Sequence, residues 1–188
     1  MPSALVALAP GFEEVEGAAP IDVLRRGGVE VVVAGLGDRR VVSARGLVLE
    51  AETTVEAMAA LEPPRPWDAL VLPGGMGGAE RLAASPAIRA LVARQLEAGR
   101  LVAAICAAPA VVLAPAGFLA GRRATCYPGL ERRFGPDVTH VPERVVEDGP
   151  VLTSQGPGTA LDFSLSVLAR LASRPAAEKL RAALLASA

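Results

Sequence analysis

The sequence is poor in the residues that metal sites and disulfide frameworks require. Its 188 residues include one histidine, His140, and two cysteines, Cys106 and Cys126. A tetrahedral zinc site needs a close group of ligands, and no cysteine–histidine cluster occurs along the chain. Two cysteines are also too few for a disulfide-rich secreted domain. The sequence therefore predicts neither metal nor other cofactor, excludes the zinc hydrolases, and favours reduced thiols in a cytoplasmic protein.

An excess of charge of either sign is also missing. Nineteen basic residues stand against twenty acidic ones, for a formal net charge of −1. This balance predicts no nucleic-acid partner and no polybasic membrane patch. Residues 101–121 carry no charge and are about long enough to span a bilayer, but Pro109, Pro115 and Gly117 interrupt them. We therefore expect a short strand followed by a short helix there, and no membrane association.

The hydrophobic patterning alternates between strands and helices over a single domain of residues 1–188. Predicted strands occupy residues 4–9, 29–34, 68–72, 101–105, 138–140, 144–147 and 151–153, with a small hairpin at 41–49. Predicted helices include one ending near Gly27 and others at residues 54–61, 86–97, 160–171 and 175–185. This order is typical of an α/β fold with a mainly parallel sheet sandwiched between two helix layers. Ligands of such sheets lie beyond the carboxyl ends of the strands.

Among the segments at those carboxyl ends, the one around Cys106 is the most informative. An apolar strand passes through Cys106 directly into Ala107 and Ala108, a pattern that resembles a nucleophile elbow. Small neighbours permit a tight, strained turn, and the start of a helix favours thiolate over thiol. The pattern therefore predicts a reactive cysteine with a low pKa. Cys126 lacks such flanking residues, and we expect it to be structural.

A cysteine nucleophile needs a proton partner, and the residues alone leave several alternatives open. A histidine partner would have to be His140. A carboxyl group is the better candidate, and Glu13, Glu14 and Glu16 all follow the first strand. Acidic residues in the first turn of a helix also stabilise the helix dipole, so spacing does not distinguish the three.

Two glycines at the end of a central strand are candidates for binding a developing oxyanion. Gly74 and Gly75 would let backbone N–H groups approach a ligand closely, and the Ala107 amide would supply the second donor. Glycines here are equally compatible with an ordinary turn, and the segment lacks the lysine of a P-loop.

Four segments together resemble the superfamily of the Parkinson-associated protein deglycase DJ-1 and the PfpI peptidases, over nearly the whole chain. They are Leu8-Ala9-Pro10-Gly11-Phe12-Glu13-Glu14-Val15-Glu16, Val71-Leu72-Pro73-Gly74-Gly75, Ala103-Ala104-Ile105-Cys106-Ala107-Ala108-Pro109 and Leu152-Thr153-Ser154-Gln155-Gly156-Pro157-Gly158-Thr159. The bacterial YajL branch is the most similar. The resemblance implies a flavodoxin-like sandwich and a homodimer. It also implies that Glu16 is the protonated acid, that Cys106 is the nucleophile, and that Gly75 and Ala107 form the amide pocket.

The resemblance further implies a cysteine-dependent, glutathione-independent glyoxalase or deglycase, whose substrate is a small reactive aldehyde such as methylglyoxal or a glycated adduct. The alternative is a non-catalytic sensor of oxidative stress, or a chaperone, that uses oxidation of Cys106. Tyr127 stands where the Parkinson-associated member has a histidine, and its phenol is a poorer base at neutral pH. Proton transfer is therefore expected from Glu16 and Cys106, with Tyr127 binding the substrate. The resemblance also implies that Arg45 is a basic residue near the substrate pocket.

Overall fold

The computed structural model describes residues 1–62 and 65–186, which form a seven-stranded sheet flanked by helices. The strands are β1 Ser3–Leu8, β2 Glu30–Gly35, β3 Arg40–Val42, β4 Val48–Glu50, β5 Thr53–Thr54, β6 Ala69–Leu72, β7 Leu101–Ile105, β8 Arg123–Ala124, β9 Thr139–His140, β10 Val145–Asp148 and β11 Val151–Ser154. The helices are α1 Glu14–Arg26, α2 Val55–Ala59, α3 Met76–Ala84, α4 Pro86–Glu97, α5 Ala160–Leu171 and α6 Arg174–Ala183. Shorter helical turns are Pro109–Leu113 (π-helical), Glu131–Arg133 and Pro157–Thr159.

The large sheet has the strand order β10-β11-β7-β6-β1-β2-β5 and is parallel except for the β10–β11 pair. Every residue of β1, β6, β7 and β11 is buried, as expected for strands covered on both faces. This arrangement confirms the predicted α/β fold with a mainly parallel sheet. The predicted hairpin at residues 41–49 is also present, as the antiparallel pair β3 and β4.

Among the α-helices of the described residues, α3 is the one that the sequence analysis did not predict. It begins directly after Gly75, has no side-chain cap at its start, and contains Gly77 and Gly78 in its first turn. Glycines disfavour helix interiors, so local propensity gives no helix signal there. The close approach of Gly78 to Phe12 explains the glycine, because a Cβ at this position would lie 2.9 Å from the Phe12 backbone.

The apolar run at residues 101–121 is divided as expected. It forms β7 and then the π-helical turn, followed by hydrogen-bonded turns. No helix within the described residues has the length and apolar character needed to cross a bilayer.

The register of the central strands brings their carboxyl ends to one edge of the sheet. Leu72 at the end of β6 pairs with Ala104 of β7, and Ser154 at the end of β11 pairs with Ile105. Each of these strands is followed by a segment that the sequence analysis selected. The candidate site therefore lies where β1, β6, β7 and β11 end.

Candidate active site

Cys106 lies at a strained turn between β7 and the following helical turn. Its φ angle is +65°, in the left-handed region that non-glycine residues rarely adopt. Its backbone N–H donates to the Ser154 carbonyl at 2.9 Å, and its carbonyl accepts from the Tyr127 N–H at 2.8 Å. The two flanking segments therefore hold the backbone in this conformation. The residue is 8% exposed, so its sulfur lies in a largely dry environment.

Glu16 on α1 is the acidic residue that reaches the cysteine. Its side chain is fully buried, and its Oε2 accepts a hydrogen bond from the Gly74 N–H at 2.9 Å. Its Oε1 is buried as well, and the carboxyl shares a side-chain hydrogen bond with Cys106, which lowers the pKa of Glu16. Gly74 lies against both groups, since a Cβ there would be 2.6 Å from the Cys106 Cβ and 2.6 Å from Glu16 Oε2.

The other two glutamates have different partners. Glu13 caps α1, because its Oε2 accepts from the Glu16 N–H at 2.9 Å. Glu14 accepts from the Ser43 hydroxyl and the Arg45 N–H, both at 2.5 Å. The Ser43 hydrogen bond is the main reason that the pKa of Glu14 falls to about 2. Of the three alternatives, Glu16 is the one that the structure places beside Cys106.

Burial controls the protonation of both groups in the Glu16–Cys106 pair. Desolvation raises the pKa of Glu16 from 4.5 to about 7. Desolvation, followed by the charge of an ionised Glu16, raises the pKa of Cys106 to about 12. The Gly75 and Ala107 N–H groups hydrogen-bond to the sulfur and lower its pKa, but they do not outweigh burial. The start of the helix favours a low thiol pKa, as expected from the sequence, but desolvation acts in the opposite direction and is the larger effect.

The two glycines have separate roles in this geometry. Gly75 directs its N–H toward the Cys106 sulfur, as the Ala107 amide does. Gly74 uses its N–H on Glu16. Gly74 is therefore not a free donor for a substrate oxyanion, in contrast to the expectation from sequence, and it orients the acid instead.

Tyr127 and Arg45 are the two remaining residues that the sequence analysis placed at the substrate. Tyr127 is 49% exposed, and its ring lies close to Gly156, where a Cβ would be 3.2 Å from the ring. Arg45 is exposed and directs its guanidinium to Glu14 at 3.3 Å and Glu13 at 3.6 Å. Its charge lowers the pKa of Glu16. The structure thus connects Tyr127 to Cys106 through a backbone hydrogen bond, and Arg45 to the site through Glu13 and Glu14.

Cys126 and His140 do not join the pair. Cys126 is 1% exposed, and burial raises the pKa of its thiol to about 12. His140 is exposed on β9 and packs edge-on against Phe134, with ring centroids 6.0 Å apart. Within residues 1–62 and 65–186, no group of three or more histidine, cysteine or acidic side chains is placed to hold a metal ion.

The conformation of Gly75 gives a first prediction. Its φ is +83°, and a Cβ would lie 2.5 Å from the Gly11 carbonyl oxygen and 2.6 Å from the Glu13 nitrogen. We expect Gly75→Ala to lower the free energy of unfolding by more than the roughly 1–2 kcal/mol of left-handed strain alone, and to slow alkylation of Cys106 because the amide moves. Gly99→Ala is the control, since Gly99 has φ +65° and open space around it. Equal stability losses in Gly75→Ala and Gly99→Ala, with the alkylation rate of Cys106 unchanged in both, would contradict this account.

The raised pKa of Glu16 gives a second prediction. A carboxyl whose pKa is raised on folding stabilises the protein fully below pH 4.5, and this contribution is lost as the pH rises through 7. Glu16→Gln should therefore gain stability relative to wild type between pH 5 and pH 8, measured by urea unfolding. Glu14→Gln should show a constant difference over this range, because the pKa of Glu14 is about 2. A constant difference for Glu16→Gln would mean that the carboxyl ionises normally.

Comparison with known proteins agrees with this architecture. Residues 2–170 match the model of the DJ-1/PfpI family. The chain is 40% identical over 185 residues to Protein dj-1beta of Drosophila melanogaster, covering 97% of this chain and 96% of that protein. It is 34% identical over 171 residues to a Caenorhabditis elegans protein named glutathione-independent glyoxalase DJR-1.2, covering 90% and 88% respectively.

Other relatives differ in length or in chemical state. The chain is 40% identical to Protein DJ-1 homolog B of Arabidopsis thaliana over 92% of this chain, but it spans 39% of that protein's length. The solved structure of oxidized Toxoplasma gondii DJ-1 is 36% identical, with a TM-score of 0.94 and full coverage of both chains. On the family model and these full-length relatives, the chain belongs to the DJ-1/PfpI family.

Proposed function

We propose that the protein is a cysteine-dependent, glutathione-independent glyoxalase or deglycase that acts on methylglyoxal-type 2-oxoaldehydes or their adducts. The observation that carries this proposal is the buried Glu16–Cys106 pair, with two backbone N–H groups directed at the sulfur. The name of the C. elegans relative supports it. No cofactor is needed, because every proton can be moved by Glu16.

The first step forms a bond between the Cys106 sulfur and the aldehyde carbon. Ionised Glu16 accepts the thiol proton as the sulfur attacks, so the reaction does not require a free thiolate of low pKa. The Gly75 and Ala107 amides stabilise the oxyanion as it forms. Protonated Glu16 then returns the proton to this oxygen, which gives a neutral hemithioacetal. A pKa of about 7 suits Glu16 to both transfers near neutral pH.

The next steps move a hydrogen between the two carbons. Glu16 removes the proton from the former aldehyde carbon and passes it to the neighbouring carbonyl oxygen, which gives an enediol. Glu16 then takes the proton of the first hydroxyl, whose oxygen becomes the thioester carbonyl, and delivers it to the neighbouring carbon. The product is a thioester of the 2-hydroxy acid on Cys106. Water hydrolyses this thioester, which restores the thiol and releases lactate when the substrate is methylglyoxal. One water is consumed overall, and no external oxidant or reductant takes part.

A second candidate function is oxidation sensing or chaperoning through Cys106. The same two amides could hold the oxygens of a cysteine sulfinate, and Cys106 retains 8% exposure. The Toxoplasma relative was solved in an oxidized form. A non-catalytic sensor would form Cys106 sulfinate with peroxide but would not convert methylglyoxal.

A turnover assay separates these functions. We expect wild type and Cys126→Ser to form lactate from methylglyoxal without glutathione, and Cys106→Ser to form none. Glu16→Gln should lose at least about 100-fold in kcat, as expected for loss of a general acid–base group, while it retains the fold by circular dichroism. Wild-type rates in Glu16→Gln would refute the mechanism. A lack of turnover in every variant, with peroxide oxidation at Cys106, would favour the sensor.

The proposed partner besides the substrate is a second copy of the chain. Val15, Leu161 and Leu185 are 49%, 42% and 92% exposed, and they line one groove between α1, α5 and the end of the chain. Arg144 and Asp162 form an ion pair of 2.7 Å at the same groove. An apolar surface with a polar rim is typical of an interface. The compartment proposed for the protein is the cytoplasm.

Light scattering tests the homodimer. We expect wild type to have twice the mass of the chain, and Leu161→Arg to shift toward the monomer because it places a charge in the apolar groove. Glu80→Arg, a substitution on the exposed face of α3, is the control for added charge and should stay dimeric. A monomeric wild type would refute the interface.

A further inference from the structure

Glu13 belongs to a group of four contacts that connect it with Glu16, Gly74 and Arg45. Its Oε2 accepts from the Glu16 N–H at 2.9 Å, and its own N–H donates to the Gly74 carbonyl at 3.1 Å. The Gly74 N–H in turn donates to Glu16 Oε2 at 2.9 Å. These three hydrogen bonds form a closed ring of Glu13, Glu16 and Gly74. The fourth contact is the 3.6 Å ion pair with Arg45.

This ring differs from an ordinary helix cap. Ser173, which caps α6, is such an ordinary cap. Among the described residues, its side chain accepts a hydrogen bond from one backbone N–H, that of Ala176, and has no other hydrogen-bond partner. The side chain of Glu13 holds the backbone N–H of Glu16. The backbone N–H of Glu13 holds the Gly74 carbonyl, and the Gly74 N–H in turn binds the Glu16 carboxyl. It carries a charge as well, although its side chain is 12% exposed. Both the position and the protonation of Glu16 therefore depend on it.

We propose that Glu13 is a positioning residue, which holds the Glu16 carboxyl against Gly74 and favours its protonated form through a nearby negative charge. Its role in turnover rests on the function proposed above. Its effect on Cys106 does not, because thiol reactivity can be measured without any substrate.

The charged and titratable groups that face Glu16 come from three elements. Glu13 is on the segment leading into α1, Arg45 is in the β3–β4 hairpin, and Cys106 follows β7. The Glu13 charge raises the pKa of Glu16, and the Arg45 charge lowers it. Neutralising Glu13 removes one negative charge and leaves Arg45 less compensated. Both changes lower the pKa of Glu16, so its carboxyl ionises at lower pH.

Two substitutions separate the charge of Glu13 from its hydrogen bond. Glu13→Gln retains an oxygen that can accept from the Glu16 N–H but carries no charge, whereas Glu13→Ala loses both. Ser173→Ala is the matched control, because it removes a helix cap far from the site. All variants are made in a Cys126→Ser background, so that Cys106 is the single thiol.

The main measurement is the rate of Cys106 alkylation by iodoacetamide as a function of pH. In wild type, the acid limb of this profile should follow the ionisation of Glu16, near pH 7. In Glu13→Gln and Glu13→Ala, the limb should move to lower pH by about 0.5 to 1 unit, the effect of one nearby charge in a partly screened site. Ser173→Ala should leave the limb in place.

Turnover of methylglyoxal gives the second readout. At the pH of its own plateau, Glu13→Gln should retain most of kcat, and Glu13→Ala should lose about tenfold because the acid is no longer held in place. An unshifted acid limb in Glu13→Gln would overturn the proposal, and this variant still decides the matter if Glu13→Ala fails to fold. If wild type shows no turnover but the limb shifts, the proposed function fails while the role of Glu13 stands.

Discussion

The site depends on keeping a carboxyl group and a thiol together out of water. Ionising either group in a dry environment is costly, and ionising both is more so because like charges repel. Burial raises the pKa of both Glu16 and Cys106, so the pair keeps one proton near neutral pH rather than losing both. The chemistry needs that proton, because the addition and hydrogen-transfer steps of the proposed reaction pass protons between Glu16 and the bound substrate, and water enters only at the final hydrolysis.

The parallel sheet supplies the means to assemble such a pair. Adjacent strands that run in the same direction end at the same edge, so residues distant in sequence meet there. Glu16 follows β1, Gly74 follows β6 and Cys106 follows β7, and these strands are neighbours in the sheet. Every residue of the three strands is buried, which keeps their ends in fixed relative positions.

Much of this arrangement could be predicted from sequence, because it depends on local patterns. Continuous apolar runs predict the buried strands, and a cysteine between such a run and small residues predicts the elbow at Cys106, whose positive φ the structure shows. The choice among Glu13, Glu14 and Glu16 could not be made from spacing. It depends on which side chain the first turn of α1 directs inward and which partners the hairpin offers, and both are tertiary effects. The acids were expected to stabilise the start of the helix through its dipole, and Glu13 does so as the N-cap of α1.

The thiol pKa depends on effects of opposite sign. The amide donors expected near Cys106 are present and do lower its pKa. Burial and the neighbouring carboxylate raise the pKa and are larger effects. The apolar run before Cys106 indicates the burial, but the carboxylate is a tertiary contact with no signal in the sequence around the cysteine. Helix α3 was missed for a related reason, because the glycines that disfavour a helix are required by the close approach of Phe12.

The consecutive residues Gly74 and Gly75 link the acid and the thiol mechanically. One N–H holds the carboxyl and the next holds the sulfur, so two consecutive peptide units, joined at the Gly74 Cα, relate the two reacting groups. Thermal displacement of α1 or of the cysteine turn acts on the same short segment, and the two groups are expected to move in concert. Fluctuations of the surrounding helices should therefore change the positions of the two groups more than the spacing between them.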